Sequence, residues 1–74
     1  MSESLQEFDT VALLQDLPEQ KLQTGQTGAV VYVHSGGEAF EVEFPLTPRE
    51  SVVTTIERGQ LLKLKGEAYR GGAT

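Results

Sequence analysis

The sequence has no cysteine and no tryptophan, and only one histidine and one methionine. Without cysteine, disulfide staples and thiolate metal sites are excluded. Basic residues are also scarce: six Lys and Arg stand against eleven Asp and Glu, a net charge of -5. Nucleic-acid binding is driven by basic side chains that release counterions from phosphates, so this balance disfavours it. Nowhere does the chain approach the about eighteen apolar residues of a membrane span, and MSESLQEF has neither the basic start nor the apolar run of a signal peptide. A soluble cytoplasmic chain that binds no membrane is the expectation.

What is present is enough chain for one small domain. Its 74 residues bury only about 60% of the surface that the unfolded form exposes. Domains this small commonly add a disulfide, a metal or a partner subunit. With cysteine missing, association is the remaining staple, which points to a homo-oligomer or a partner chain. The apolar fraction of 38% is ordinary for a folded domain and does not suggest intrinsic disorder.

Residues 1–7 are polar and 66–74, GEAYRGGAT, are rich in Gly and small residues, so both ends are expected to be poorly ordered, leaving a domain over 8–65. Segment 8–14, FDTVALL, reads as a strand from Val11, Leu13 and its shortness; the alternative is a turn or two of helix with Asp9 as N-cap. Asp16-Leu17-Pro18 stops it. Gly25 and Gly28 mark a turn into a strand over 29–34, whose Val30-Val31-Tyr32-Val33 run has high β-propensity. Ser35-Gly36-Gly37 supplies the positive-φ positions of a tight hairpin, and 38–44 returns antiparallel. Pro45 and Pro48 bound a connecting loop, 52–56 is a further strand, 57–60 is a turn or one 3-10 turn, and 61–64 is the last strand. Four to five short antiparallel strands with tight turns make an all-β fold, in the order of events of a small SH3-like barrel. Within it, Phe40, Val42 and Phe44 point to the core while Glu41 and Glu43 share the opposite face with Ala39.

The same residues carry a resemblance. Asp9-Thr10-Val11-Ala12-Leu13, then Asp16-Leu17-Pro18, then Leu22-x-x-Gly25-x-x-Gly28-x-Val30-Val31, then Glu41-Val42-Glu43-Phe44, closing with Gln60-Leu61, resemble a family of small bacterial proteins catalogued as a domain of unknown function. The resemblance runs over about 8–64 and implies an SH3-like barrel with no established activity and no catalytic residues to carry over. Members of such families are often encoded beside another small gene, in toxin–antitoxin-like pairs or on mobile elements, which implies a protein partner. PLTPRE replaces the family's glycine-centred turn after the acidic strand, so the loop after Phe44 transfers least.

Each feature that suggests chemistry has a plainer reading. Glu41 and Glu43 could act in acid–base catalysis or hold a divalent cation, but with no His or Cys expected beside them they read first as a solvated face and second as a docking surface. Glu38 shares parity with Phe40 and reaches water through its place beside the turn. His34 reads as a surface or edge histidine, since no triad spacing supplies it with an oriented partner; a pH sensor is the alternative. Gly25 and Gly28 do not make a phosphate loop, because Ala29-Val30-Val31 opens a strand where Gly-Lys-Ser/Thr would open a helix. Asp16 and Glu19 add acids on a loop, and the Tyr32 ring could belong to the core or to an interface, the latter favoured because aromatics of this kind anchor partner surfaces.

The expectation is therefore a non-enzymatic interaction module that self-associates or binds the product of a neighbouring gene. Its partner surface would draw on Asp16, Glu19, Tyr32, Glu41 and Glu43, with no catalytic residue, metal or cofactor. One alternative is an accessory subunit docking a small soluble electron carrier; the few cations, Lys21, Arg49, Arg58, Lys63, Lys65 and Arg70, speak against it. The other is a KOW-like nucleic-acid binder, which net charge opposes. An enzyme comes last, for want of nucleophile, base and orienter together.

Overall fold

In a computed structural model of the chain, residues 4–64 are described. They form five strands: β1 (Thr10–Leu13), β2 (Thr27–Val33), β3 (Ala39–Thr47), β4 (Glu50–Glu57) and β5 (Leu61–Lys63). Every pairing is antiparallel, and the strands make one sheet in the order β4-β3-β2-β1-β5. Three 3-10 turns, Pro18–Gln20, Ser35–Gly37 and Arg58–Gln60, complete the regular elements among the described residues. The fold is all-β, as the strand-and-turn pattern implies. Among the described residues no helix is long and apolar enough to cross a membrane.

Alternation decides which side chains meet. Phe40, Val42 and Phe44 are buried, and they pack with Val11, Leu13, Leu22, Val30, Ile56 and Leu61 in one core. Leu5 joins that core from the polar segment read as a frayed end. A single leucine among polar residues has no periodicity to reveal it, and only the folded chain supplies the apolar site it fills. The C-terminal tail expected over 66–74 lies outside the described residues.

Several boundaries differ from the sequence reading. β1 begins at Thr10 rather than Phe8, because Phe8 takes a φ of 74° in a turn where the Asp9 carboxylate accepts the Gln6 N–H at 2.8 Å. Asp9 therefore closes a turn and caps no helix. β2 starts at Thr27 and includes Gly28. Gly25 turns with a φ of 92°, but Gly28 has no positive φ; its role is close approach. A Cβ there would stand 2.5 Å from the Glu43 carbonyl oxygen and 2.9 Å from the Phe44 ring. At the β2–β3 turn, Gly36 and Gly37 do adopt φ of 83° and 71°.

The loop expected between Pro45 and Pro48 is instead the end of β3, and the turn is confined to Pro48 and Arg49. The Arg58 N–H donates to the Glu38 carbonyl at 2.9 Å, which sets the phase of the β3–β4 ladder. Pro45 pairs with Ser51 at a position where no N–H is asked of it from the β4 side, so proline is tolerated in the strand.

Residues 14–26 form the longest connection. Leu22 is buried at its centre, with Leu17 bridged to it. Asp16 holds the loop closed: its Oδ1 accepts from the Thr24 N–H at 2.8 Å and from Thr24 Oγ1 at 2.9 Å. These bonds stabilise the charged form and lower the Asp16 pKa from its usual value.

Candidate functional site

The side of β2–β3–β4 that faces away from the core is built in rows. Register places Ala29 beside Glu43 and Glu43 beside Val53; Tyr32 lies beside Glu41 and Glu41 beside Thr55; Ala39 lies beside Glu57. A register shift between Val30 and Tyr32 brings Tyr32 opposite Glu41, re-aiming the aromatic as bulges do. Tyr32 and Val53 are each 53% exposed. They are large apolar groups set among carboxylates on an otherwise polar face.

The carboxylates are held. Glu41 Oε2 accepts from Thr55 Oγ1 at 2.6 Å and from His34 Nε2 at 2.7 Å. Next to it, Glu43 Oε2 accepts from Ser51 Oγ at 2.6 Å. The Tyr32 ring meets the His34 ring edge-on, with centroids 5.1 Å apart. The Thr55 bond first and the His34 bond second hold the Glu41 pKa below its usual value, against a smaller desolvation effect that raises it. Charge-assisted bonds of this length fix a side chain's direction, so this part of the face is ordered before anything binds.

His34 corrects the sequence reading on two points. It has an oriented partner, and the glutamates do have a histidine beside them. The signal was available: in a hairpin turning at Ser35-Gly36-Gly37, Val33 pairs with Phe40, which brings His34 to the Glu41 side of the sheet. The arrangement is nevertheless not that of a nucleophilic triad. There the imidazole stands between hydroxyl and carboxylate, whereas here the carboxylate stands between imidazole and hydroxyl. The Thr55 hydroxyl donates a hydrogen bond to Glu41 and is not activated by His34. Among the described residues, no group of three His, Cys, Asp or Glu side chains is placed to hold a metal ion.

Of the five residues expected to form a partner surface, Tyr32, Glu41 and Glu43 come together on this face. Asp16 and Glu19 sit apart on the β1–β2 connection, Asp16 occupied by Thr24 and Glu19 exposed in the Pro18–Gln20 turn. The face gains Ser51, Val53 and Thr55 from β4, whose roles depend on register. Beside Glu43 an open groove of about 410 Å³ is lined by Thr10, Thr27, Gly28, Ala29, Glu43 and Pro45.

The site is thus a polar sheet face of hydrogen-bonded carboxylates with two exposed apolar side chains, on a small all-β domain. The chain belongs to the family described as Domain of unknown function (DUF4926), whose profile matches residues 7–46. The match spans β1 to Leu46 of β3 and so includes Tyr32, His34, Glu41 and Glu43, while β4 and β5 fall beyond it. No curated protein and no solved structure matches the chain.

Proposed function

We propose that this protein is a bacterial, cytoplasmic, SH3-like barrel that acts without catalysis as a protein-interaction module, by self-association, by binding the product of a neighbouring gene, or both. The strand order β4-β3-β2-β1-β5 and the 3-10 turn between β4 and β5 support the barrel assignment. The observation that carries the function is the outer face. Tyr32 and Val53 stand exposed between carboxylates whose directions Thr55, His34 and Ser51 already set. A surface ordered beforehand loses less entropy on binding, and aromatic anchors ringed by polar groups are where binding energy concentrates. The carboxylates repel phosphate and favour a partner with basic or neutral groups.

Co-expression with the neighbouring gene's product, followed by size-exclusion with light scattering, tests the reading. Co-elution or a dimer is expected, with Tyr32→Ala and Glu43→Arg weakening the hetero-complex and leaving the melting temperature near wild type. A chain that neither co-elutes nor self-associates would refute it.

A further inference from the structure

The two edges of the sheet are not protected alike. β5 is three residues long and carries Lys63, and shortness and lysine are both devices that keep an edge from pairing. β4 has eight residues, no proline and no lysine, and among the described residues it pairs only with β3. The Arg58 to Glu38 bond makes that pair hydrogen-bonded. Alternation then assigns the ladder bonds to Ile56, Thr54 and Val52, and turns the N–H and C=O of Ser51, Val53 and Thr55 away from β3. Those three residues are exposed.

We propose that β4 is a homodimer interface, in which two copies pair β4 with β4 antiparallel about a two-fold axis through Val53 and join their sheets into one. This rests on the reading of the protein as an interaction module and names the surface of its self-association. Because outward-facing positions must meet outward-facing positions, the axis can fall on Val52, Val53 or Thr54. Centring on Thr54 sets Ser51 against the partner's Glu57, whose N–H is already taken by Gln60 Oε1 at 2.9 Å. Centring on Val52 sets Thr55 against the partner's Arg49, which lies in the turn outside the strand.

Centring on Val53 uses only strand residues. Val53 meets the partner's Val53, and Ser51 meets the partner's Thr55 on each side of the axis. The side chains agree with that register: an apolar pair at the centre and hydroxyl pairs beside it. The net charge of -5 per copy does not forbid the contact. The two Glu43 carboxylates would lie three strand spacings apart, about 14 Å, beyond the screening length of about 8 Å at physiological salt.

The absence of cysteine makes the register testable. Facing hydrogen-bonded residues have Cα atoms about 5.5 Å apart, within disulfide reach. Mild oxidation of Val53→Cys should therefore give a cross-linked dimer. Ser51→Cys should not, because its symmetry mate is offset by about 13 Å along the strand. Val53→Pro removes an outward N–H and leaves the β3 ladder intact; in sedimentation it should weaken a dimer of micromolar affinity by about tenfold or more. Its melt in dilute solution should stay near wild type.

A full-length chain that sediments as a monomer at about millimolar concentration, a Val53→Pro dimer as tight as wild type, or equal cross-linking of the two cysteine variants would each overturn the inference. If the neighbouring gene's product still binds in those cases and is lost on Tyr32→Ala, the module reading stands without the edge pairing. If Val53→Pro releases that product from a chain that is monomeric alone, the edge belongs to a foreign strand, and self-pairing is refuted.

Discussion

Replacing Gly28 with alanine separates the physical roles of glycine in this fold. The new Cβ would lie 2.5 Å from the Glu43 carbonyl oxygen, 2.9 Å from Phe44 Cδ1 and 3.0 Å from Val42 Cγ1. The nearest of these atoms is backbone inside the sheet, so it has little freedom to retreat, and the other two belong to buried core residues. Overpacking typically costs about 1–3 kcal/mol. Against it stands the loss of unfolded-chain entropy, which favours alanine by about 0.4–1 kcal/mol. A backbone contact places the cost at the upper end, for a net loss of about 2 kcal/mol.

For a chain of this length the total stability is about 4–11 kcal/mol, and each kcal/mol moves the melting temperature by about 4–8 °C. Gly28→Ala should therefore melt about 8–16 °C lower, read by circular dichroism and checked by urea titration. Two controls isolate the cause. Gly25→Ala has nothing within 4 Å of its Cβ but a φ of +92°, so it should lose about 1–2 kcal/mol through strain alone. Gly59→Ala has neither obstacle and should gain a few tenths of a kcal/mol, about the low end of the entropy effect. A Gly28→Ala protein that melts with wild type, or above Gly25→Ala, would refute the close-approach argument.

Phe40→Asp puts a charge in the core beside Val42 and Phe44; the cost of about 3–5 kcal/mol or more consumes most of the stability and should leave the chain unfolded by circular dichroism. Glu41→Gln tests the ordered face. The folded pKa of Glu41 is depressed, so its stabilising effect is present above the usual value of 4.5 and is lost as pH falls below it. The variant should be less stable than wild type near neutrality and match it in acid, as read from urea midpoints across pH; a gap that persists in acid would disprove the assignment. Asp16→Ala removes both acceptor contacts to Thr24, so limited proteolysis should cut within 14–26 faster while core amides keep their hydrogen-exchange protection.

The hairpin was the most legible part of the chain. Strict alternation in Phe40 to Phe44, a glycine turn before it and a β-branched run before that placed the core face correctly, because period two leaves one choice of side once one face is apolar. Pro48 lies in the turn as the sequence implies, but Pro45 does not break its strand: the rule against proline is a rule about N–H groups, and whether an N–H is needed depends on ladder phase. Gly28 looks like a turn residue in the sequence for a similar reason, since a positive φ and a close backbone approach both call for glycine. The strand that Val11, Leu13 and the short segment imply does not extend to Phe8, which is 80% exposed; the Asp9 turn, a local hydrogen bond, overrides propensity there.

From the sequence alone followed the strand-rich class, the core face of β3, the exclusion of thiol chemistry and an acidic surface, all of which depend on composition or on neighbours within one strand. Only the tertiary structure decided which of the acids share a surface. It joined Tyr32, His34, Glu41 and Thr55, separated Asp16 and Glu19 from them, and left the outer edge of β4 unpaired among the described residues. Those outcomes rest on register between strands, and register is a property of pairs of segments that no single segment carries.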